Sequence, residues 1–278
     1  MVLDISERSL DLFLAGTLER PGFPGDPSVL DDCANEARLG LDVLRSLAPS
    51  AQSRILEVGS GPGVLLAFLA QQGADVTGVE PPNEAFDDRF GTIRSALEAE
   101  RPLPLLRVRA DQLDTAVHGR FDLVFSVNVV EHLQPLDPNM DAIAGVLSPG
   151  GRMVHICPNY RFPYEPHLRV PLIPGAPALT GRLWRRLGED PIWRTINWVT
   201  AKDIEAFAKR HTMTLEFRPG QFAAALARLE SDPAFARRQR RVAGLATMPG
   251  VPAILRLLPP TWATPMTFEL AKPTSTLR

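Results

Sequence analysis

Residues 54–73 read RILEVGSGPGVLLAFLAQQG, and this stretch decides the fold. RILEV (54–58) is a short apolar run that reads as a buried strand, and VLLAFLAQQ (64–72) reads as a helix closed by Gly73. Between them, Gly59, Ser60, Gly61, Pro62 and Gly63 make a tight turn. Glycines there let backbone N–H groups at the helix N-terminus approach a ligand closely. The spacing narrows the ligand. A dinucleotide fingerprint of the form G-x-G-x-x-G/A needs a small third residue beside the helix. Counting from Gly59, that slot holds Val64, and the third glycine comes one residue early, at 63. Glu57 stands just before the turn, where a carboxylate would repel a pyrophosphate and attract an ammonium group.

The same rhythm continues downstream. DVTGVE (75–80), PLLRVRA (104–110), FDLVFSV (121–127) and GRMVHIC (151–157) read as strands. DPNMDAIAGVL (137–147) reads as a helix ended by Ser148-Pro149-Gly150-Gly151. Alternation of this kind implies right-handed crossovers and a mostly parallel sheet covered on both faces. Residues 1–53 read as a helical cap interrupted by ERPGFPGDP. After that break, Ser28 is expected to cap a helix running to Leu47. Its Leu30, Ala34, Ala37, Leu41, Leu44 and Leu47 form one apolar stripe. Residues 158–199 break the rhythm, with six prolines between 158 and 177, both tyrosines and three of the four tryptophans. They are expected to form an ordered lid over the active site together with the N-terminal helices. Residues 200–278 complete the core. Thr200 caps AKDIEAFAKRH, MTLEF (213–217) is a strand, residues 221 to about 257 are helical, and TPMTFELA (264–271) is the last strand. The expected fold is therefore α/β, a doubly wound, seven-stranded, mostly parallel sheet. Its segments are 1–53, 54–157, 158–199 and 200–278.

Composition bounds the function. The chain has 278 residues, 45% hydrophobic and 22% charged, with a formal charge of −2. This is ordinary globular usage with no global positive field, so the usual electrostatic footprint of nucleic-acid binding is missing. Cys33 and Cys157 are the only cysteines. Two are too few for a disulfide framework or a structural zinc site. The N-terminus lacks a signal-peptide pattern, and no apolar run approaches the ~20 residues of a membrane span. A cytoplasmic enzyme is expected.

Three further positions point to a nucleoside. Glu80 ends the second strand, where an acidic residue can accept hydrogen bonds from both ribose hydroxyls. Asp111, beside Gln112 after the third strand, can accept the exocyclic amine proton of adenine. The fourth strand runs into the polar group that starts at Asn128 and includes Glu131 and His132. Taken in order, ILEVGSGPG, Glu80, Asp111, FDLVFSVNVVEHL and LSPGGRMVHICPN resemble the motifs of the class I S-adenosylmethionine-dependent methyltransferases. The resemblance covers about residues 50–160. The last two strands are similar to that family's antiparallel pair at the sheet edge. Pro81-Pro82 departs from it, because the family usually begins a helix there.

The resemblance implies S-adenosylmethionine as methyl donor and S-adenosylhomocysteine as product. Glu57, Gly59, Ser60, Gly61, Gly63, Glu80, Asp111, Gln112 and Asn128 would hold the cofactor. The acceptor is expected to be a small molecule methylated at oxygen. His132, His167 and Tyr160 are the catalytic candidates, and Glu165 also falls on the substrate side. His132 can instead bond nearby backbone and fix the turn after the fourth strand. A metal at Glu131-His132 needs further ligands that the sequence does not identify, and none is expected. His155, between Val154 and Ile156, reads as a core histidine, and Cys157 as a small buried apolar residue. Trp184, Trp193 and Trp198 read as a satellite core or as the wall of an apolar pocket. Arg237, Arg238, Arg240 and Arg241 read as a solvated face or a contact for an anionic partner. Competing readings are a non-catalytic S-adenosylmethionine-binding regulator or subunit, a nicotinamide-dependent oxidoreductase, and an RNA or protein methyltransferase.

Overall fold

The computed structural model describes residues 3–218, 248, 251, 257 and 259–274. The expected helix over 221–257 and the arginines at 237, 238, 240 and 241 lie outside the described residues, apart from isolated positions in the former. Strands are β1 (Arg54–Val58), β2 (Asp75–Val79), β3 (Leu105–Leu106), β4 (Phe121–Val127), β5 (Leu147–Cys157), β6 (Tyr164–Glu165), β7 (Val170–Pro171), β8 (Thr214–Arg218) and β9 (Met266–Ala271). Helices are α1 (Glu7–Thr17), α2 (Pro27–Arg45), α3 (Val64–Gln71), α4 (Glu84–Glu100), α5 (Thr115–His118), α6 (Leu136–Val146), α7 (Pro177–Leu183), α8 (Arg185–Gly188), α9 (Pro191–Thr195) and α10 (Ala201–Arg210).

Seven strands form one sheet in the order β3-β2-β1-β4-β5-β9-β8, and β6 and β7 pair as a separate antiparallel ribbon. β1 runs parallel to both β2 and β4, and β2 runs parallel to β3. The reversal of strand order falls at β1 and β4. In open α/β sheets the ligand crevice lies outside the carboxyl ends of the strands at such a point. The doubly wound, mostly parallel sheet expected from the strand–helix rhythm is the observed one.

Local differences have simple causes. Asp26, not Ser28, caps α2: its carboxylate accepts from the Ser28 N–H, and Pro27 takes the first helical position. Proline is suited to that position because its missing N–H would have no partner there. β3 shrinks to two residues. Pro104 has no N–H to donate, though its carbonyl still accepts from Gly78. Arg107 and Arg109 turn away into ion pairs with Asp87 and Asp111. β5 begins at Leu147, so Ser148-Pro149-Gly150-Gly151 lies inside the strand. α4 starts at Glu84, past Pro81-Pro82. Thr200 caps α10 as expected, in a reciprocal box with Asp203.

The described chain divides into two compact units. One is Met1–Val129 with Asp137–His155 and Leu270–Arg278; the other is Val130–Leu136 with Ile156–Glu269. In the first unit α2 is part of the core. Its Ala34, Ala37, Leu41 and Leu44 are buried, and so is Leu47 just beyond its end. At Gly40 an added Cβ would sit 2.6 Å from Leu65 of α3, so this helix face packs at backbone distance. The central strands supply Ile55, Leu56, Val124 and Phe125, each at most 1% exposed. In the second unit Ile204 and Phe207 of α10 are buried, as is Phe268 of β9.

Candidate functional site

The first unit holds the glycine turn. Gly59, Gly61 and Gly63 all adopt positive φ, at +73°, +57° and +88°. At Gly59 a Cβ would also stand 2.2 Å from Val129 Cγ2, so both backbone and space require glycine. Gly63 caps α3 without a side chain. The Gly59 and Ser60 N–H groups both reach the Val79 carbonyl, at 2.7 and 3.2 Å, which ties the turn to the end of β2. The Ser60 hydroxyl donates to the Glu57 carbonyl at 3.2 Å, and Ser60 is buried.

Two carboxylates face this turn from the ends of β1 and β2. Glu57 is 8% exposed and Glu80 is 7% exposed. The Gly61 N–H donates to Glu80 Oε2 at 2.9 Å. Burial, with the Glu80 charge adding, pushes the Glu57 carboxyl up to about 8. Burial pushes Glu80 up to about 7 against the pull of the Gly61 N–H, Arg94 and Arg107. Both groups therefore sit poised to ionise when a hydrogen-bond donor or a cation arrives.

Sequence reasoning missed the brace behind them. Arg94 Nη1 meets Asp87 at 2.7 Å, and its Nη2 donates to the Gly61 carbonyl at 3.2 Å. Arg107 meets the same Asp87 at 2.7 Å. Asp87 thus aligns two guanidinium groups, one of which holds the turn. Arg94 and Arg107 lie 13 positions apart on different elements, so no local pattern links them.

Asp111 lies in a short turn, its N–H donating to Asn139 Oδ1 at 3.1 Å. Its carboxylate takes two bonds from Arg109, at 3.0 and 2.7 Å. The Arg109 hydrogen bond holds it below the ordinary carboxylate range. Gln112 Oε1 accepts from the Arg109 N–H at 2.9 Å, which closes this turn on itself. Asn128 takes φ +54° directly after β4, a conformation that asparagine tolerates better than most residues. His155 is fully buried with Nδ1 2.7 Å from Ser126 Oγ, which is the core role expected of it. Burial pushes it down to about 3.

The second unit holds the other polar cluster, built on Glu131, His132, Tyr160, Glu165 and His167. Glu131 and Glu165 are both fully buried. Tyr160 donates its hydroxyl to Glu165 Oε1 at 3.3 Å, and burial raises that hydroxyl far above its usual value, the two glutamates adding. His167 Nδ1 stands 2.6 Å from the same Oε1, and the Leu168 N–H donates to Oε2. Burial tends to raise Glu165, but the bonds from His167 and Leu168 hold it below its ordinary value. The other ring nitrogen of His167 lies 3.6 Å from Glu131 Oε1. His132 and His167 face each other with ring centres 5.2 Å apart. His132 Nδ1 is 2.8 Å from Thr195 Oγ1. Burial, with His167 adding, pushes it down to about 4.

Asn197 holds the Glu131–His132 turn in place. Its side-chain amide donates to the Val130 and Leu133 carbonyls at 2.7 and 2.9 Å, and its N–H donates to the Glu131 carbonyl at 2.8 Å. Trp198 packs edge-on against Tyr160 at 5.0 Å and against Trp193 at 4.6 Å. Those two tryptophans pack together with Tyr160, as either expected role requires. Trp184 does not join them, being 54% exposed. Cys157 is buried, as expected. No described helix is long and apolar enough to cross a membrane.

The comparisons with known proteins agree with this fold. The family described as "Methyltransferase domain" matches residues 33–212. An uncharacterised protein of Mycobacterium tuberculosis is 37% identical over 196 residues, covering 66% of each chain. The ubiquinone biosynthesis O-methyltransferase of Bordetella avium is 35% identical over 118 residues, 41% of this chain and 46% of that one. The matched stretches thus span between about half and two thirds of these relatives' length. Among solved structures, a cyclopropane-fatty-acyl-phospholipid synthase-like protein from Lactobacillus casei superposes with a TM-score of 0.54 at 18% identity. It covers 96% of this chain and 99% of its own. The phosphoethanolamine N-methyltransferase 2 of Haemonchus contortus, in complex with S-adenosyl-L-methionine, gives 0.50 at 19% identity, covering 84% and 52%. The chain belongs to the methyltransferase domain family, of the class I S-adenosylmethionine-dependent type.

Proposed function

We propose that the protein transfers the methyl group of S-adenosylmethionine to a hydroxyl of a small-molecule acceptor in the cytoplasm. One observation carries the cofactor half of this reading: a turn of left-handed glycines set between two buried carboxylates, Glu57 and Glu80. A pyrophosphate would oppose the ionisation of both, whereas a cation or a hydrogen-bond donor favours it. The methionine ammonium answers Glu57, and the ribose diol answers Glu80. Gly59, Ser60, Gly61 and Gly63 then lie against the cofactor as backbone, with Asp111, Gln112 and Asn128 toward the adenine side. The Haemonchus enzyme that shares the fold holds the same cofactor.

The oxygen preference rests on the second unit and on the ubiquinone O-methyltransferases among the relatives. An acceptor hydroxyl must lose its proton as it attacks. His167, held by Glu165 through Nδ1, presents Nε2 for that proton, with His132 beside it and Tyr160 fixing Glu165. The acceptor oxygen forms its bond to the methyl carbon as the carbon–sulfur bond breaks. The electron pair goes to sulfur, which leaves as neutral S-adenosylhomocysteine. Holding the partners in line can supply ~7–11 kcal/mol of the barrier, and a positioned base ~10²–10⁴-fold in rate.

Calorimetry and thermal melting with S-adenosylmethionine, S-adenosylhomocysteine and NAD test the cofactor. Both sulfur nucleosides are expected to bind and NAD to have no effect. A ligand at 100 times its dissociation constant adds ~2.7 kcal/mol of apparent stability. Glu80→Ala is expected to weaken both nucleosides at least tenfold. NAD binding in their place would overturn the reading.

A further inference from the structure

We propose that Glu131, His132 and His167 form a binding site for one divalent transition-metal ion of the zinc or manganese kind. One ligand atom from each lies within 4.8 Å of the others, and all three belong to the second unit. A bridging ion at about 2.0–2.2 Å from each donor needs them somewhat closer.

The hydrogen bonds behind the histidines carry the argument. A metal-bound histidine nearly always donates its remote N–H to a carboxylate or another oxygen, which fixes the tautomer. Both histidines are already arranged this way. The Thr195 hydroxyl spends its proton on the Ile192 carbonyl at 2.8 Å, so its oxygen accepts from His132 Nδ1. His132 therefore carries its lone pair on Nε2. His167 Nδ1 donates to Glu165 at 2.6 Å, which directs its own lone pair to Nε2, on the side of Glu131. Two oriented imidazoles and a buried carboxylate thus stand together, with His167 Nε2 3.6 Å from Glu131 Oε1. A general base requires only one oriented histidine. A second, independently oriented by Thr195, together with Glu131, is a ligand set of two histidines and a carboxylate. Such a set leaves coordination positions open for an acceptor oxygen.

This deepens the acceptor half of the proposed function and is independent of its cofactor half. With an ion held there, His167 Nε2 would serve as a ligand, in place of the base role given to it above when the site is empty. An ion held there would act as a Lewis acid that lowers the pKa of an acceptor hydroxyl. Glu165 and Thr195 are positioning residues that act through the histidines.

The test is ion binding by the full chain, stripped with chelator and then titrated with zinc, manganese and cobalt(II) salts. The readouts are calorimetry, elemental analysis after dialysis, and the visible absorption of bound cobalt. One ion per chain is expected, with a rise in melting temperature. His167→Ala, partly exposed and so tolerant of change, is expected to weaken binding at least 100-fold. Glu165→Gln should weaken it ~10–100-fold, as loss of such a partner does. Cobalt absorption should shift in Glu165→Gln, which a purely structural role for Glu165 would not produce. An absence of bound ion, or ion binding unchanged in His167→Ala, overturns the site. S-adenosylmethionine binding, measured on the same samples, separates the two readings. Ion binding without cofactor binding sinks the cofactor proposal alone, and the reverse sinks only the metal site.

Discussion

Glu57 and Glu80 are both carboxylates held above their ordinary range by burial, and this sets a pH signature. Glu57 rises from 4.5 to about 8 on folding, so between those values the folded chain keeps a proton that the unfolded chain releases. Its contribution to stability is full below about 4.5 and is lost as pH rises to about 8, with a limiting slope of about 1.4 kcal/mol per pH unit. Glu57→Gln is expected to flatten that slope in urea titrations of the unliganded protein. An unchanged slope would show that Glu57 is not the group responsible. The cofactor should respond in the opposite sense. In the proposed placement the cofactor would meet both carboxylates ionised, so S-adenosylmethionine should bind more tightly as pH rises from about 6 to about 8, with proton release. Calorimetry in buffers of different ionisation enthalpy measures that release, and Glu80→Gln should reduce it.

At the scale of elements, two short connections carry the sites, and each is fixed from a distance. The β1–α3 turn depends on the space under Gly59. Gly59→Ala combines a positive φ with a Cβ 2.2 Å from Val129 Cγ2. Overpacking of this kind costs about 1–3 kcal/mol. Urea melts should show this loss, and Val129→Ala in the same chain should recover part of it. Full additivity of the two would contradict the contact. The Val130–Leu133 turn depends on Asn197, which makes three hydrogen bonds to it. Asn197→Ala removes the side-chain donor from the Val130 and Leu133 carbonyls, though Val130 keeps the Leu133 N–H. It should destabilise by about 1–3 kcal/mol and weaken ion binding while leaving S-adenosylmethionine affinity near wild type. Loss of cofactor affinity in that variant would mean that the turn serves a different ligand.

For the molecule as a whole, the division into two compact units gives each proposed ligand its own footprint. Hydrogen exchange should slow around residues 58–64 and 80 when S-adenosylhomocysteine is added. Added zinc should slow it around residues 130–133 and 165–168. Protection of the first set by zinc, or of the second by chelator-treated protein alone, would argue against this assignment.

Much of this was legible in the chain. β1, the glycine turn and α3 appear in the structure where their pattern put them, because each rests on local periodicity and on φ values only glycine takes easily. The sheet followed from repetition of that unit. Glu57 and Glu80 were legible because they end adjacent parallel strands, and strand ends must converge. Element edges were less legible, since Asp26 against Ser28 and the two-residue β3 depend on single hydrogen bonds and on Pro104. The polar cluster of the second unit was legible only as separate residues. Glu131 and His132 lie 33 or more positions from Glu165 and His167, and Thr195 and Asn197 lie farther still. Nothing periodic connects them. Local chemistry in the sequence determined the strands, the turn and the two carboxylates beside it. The tertiary structure alone decided that two histidines meet over a buried glutamate, because that depends on where distant loops return and which hydrogen bonds orient them.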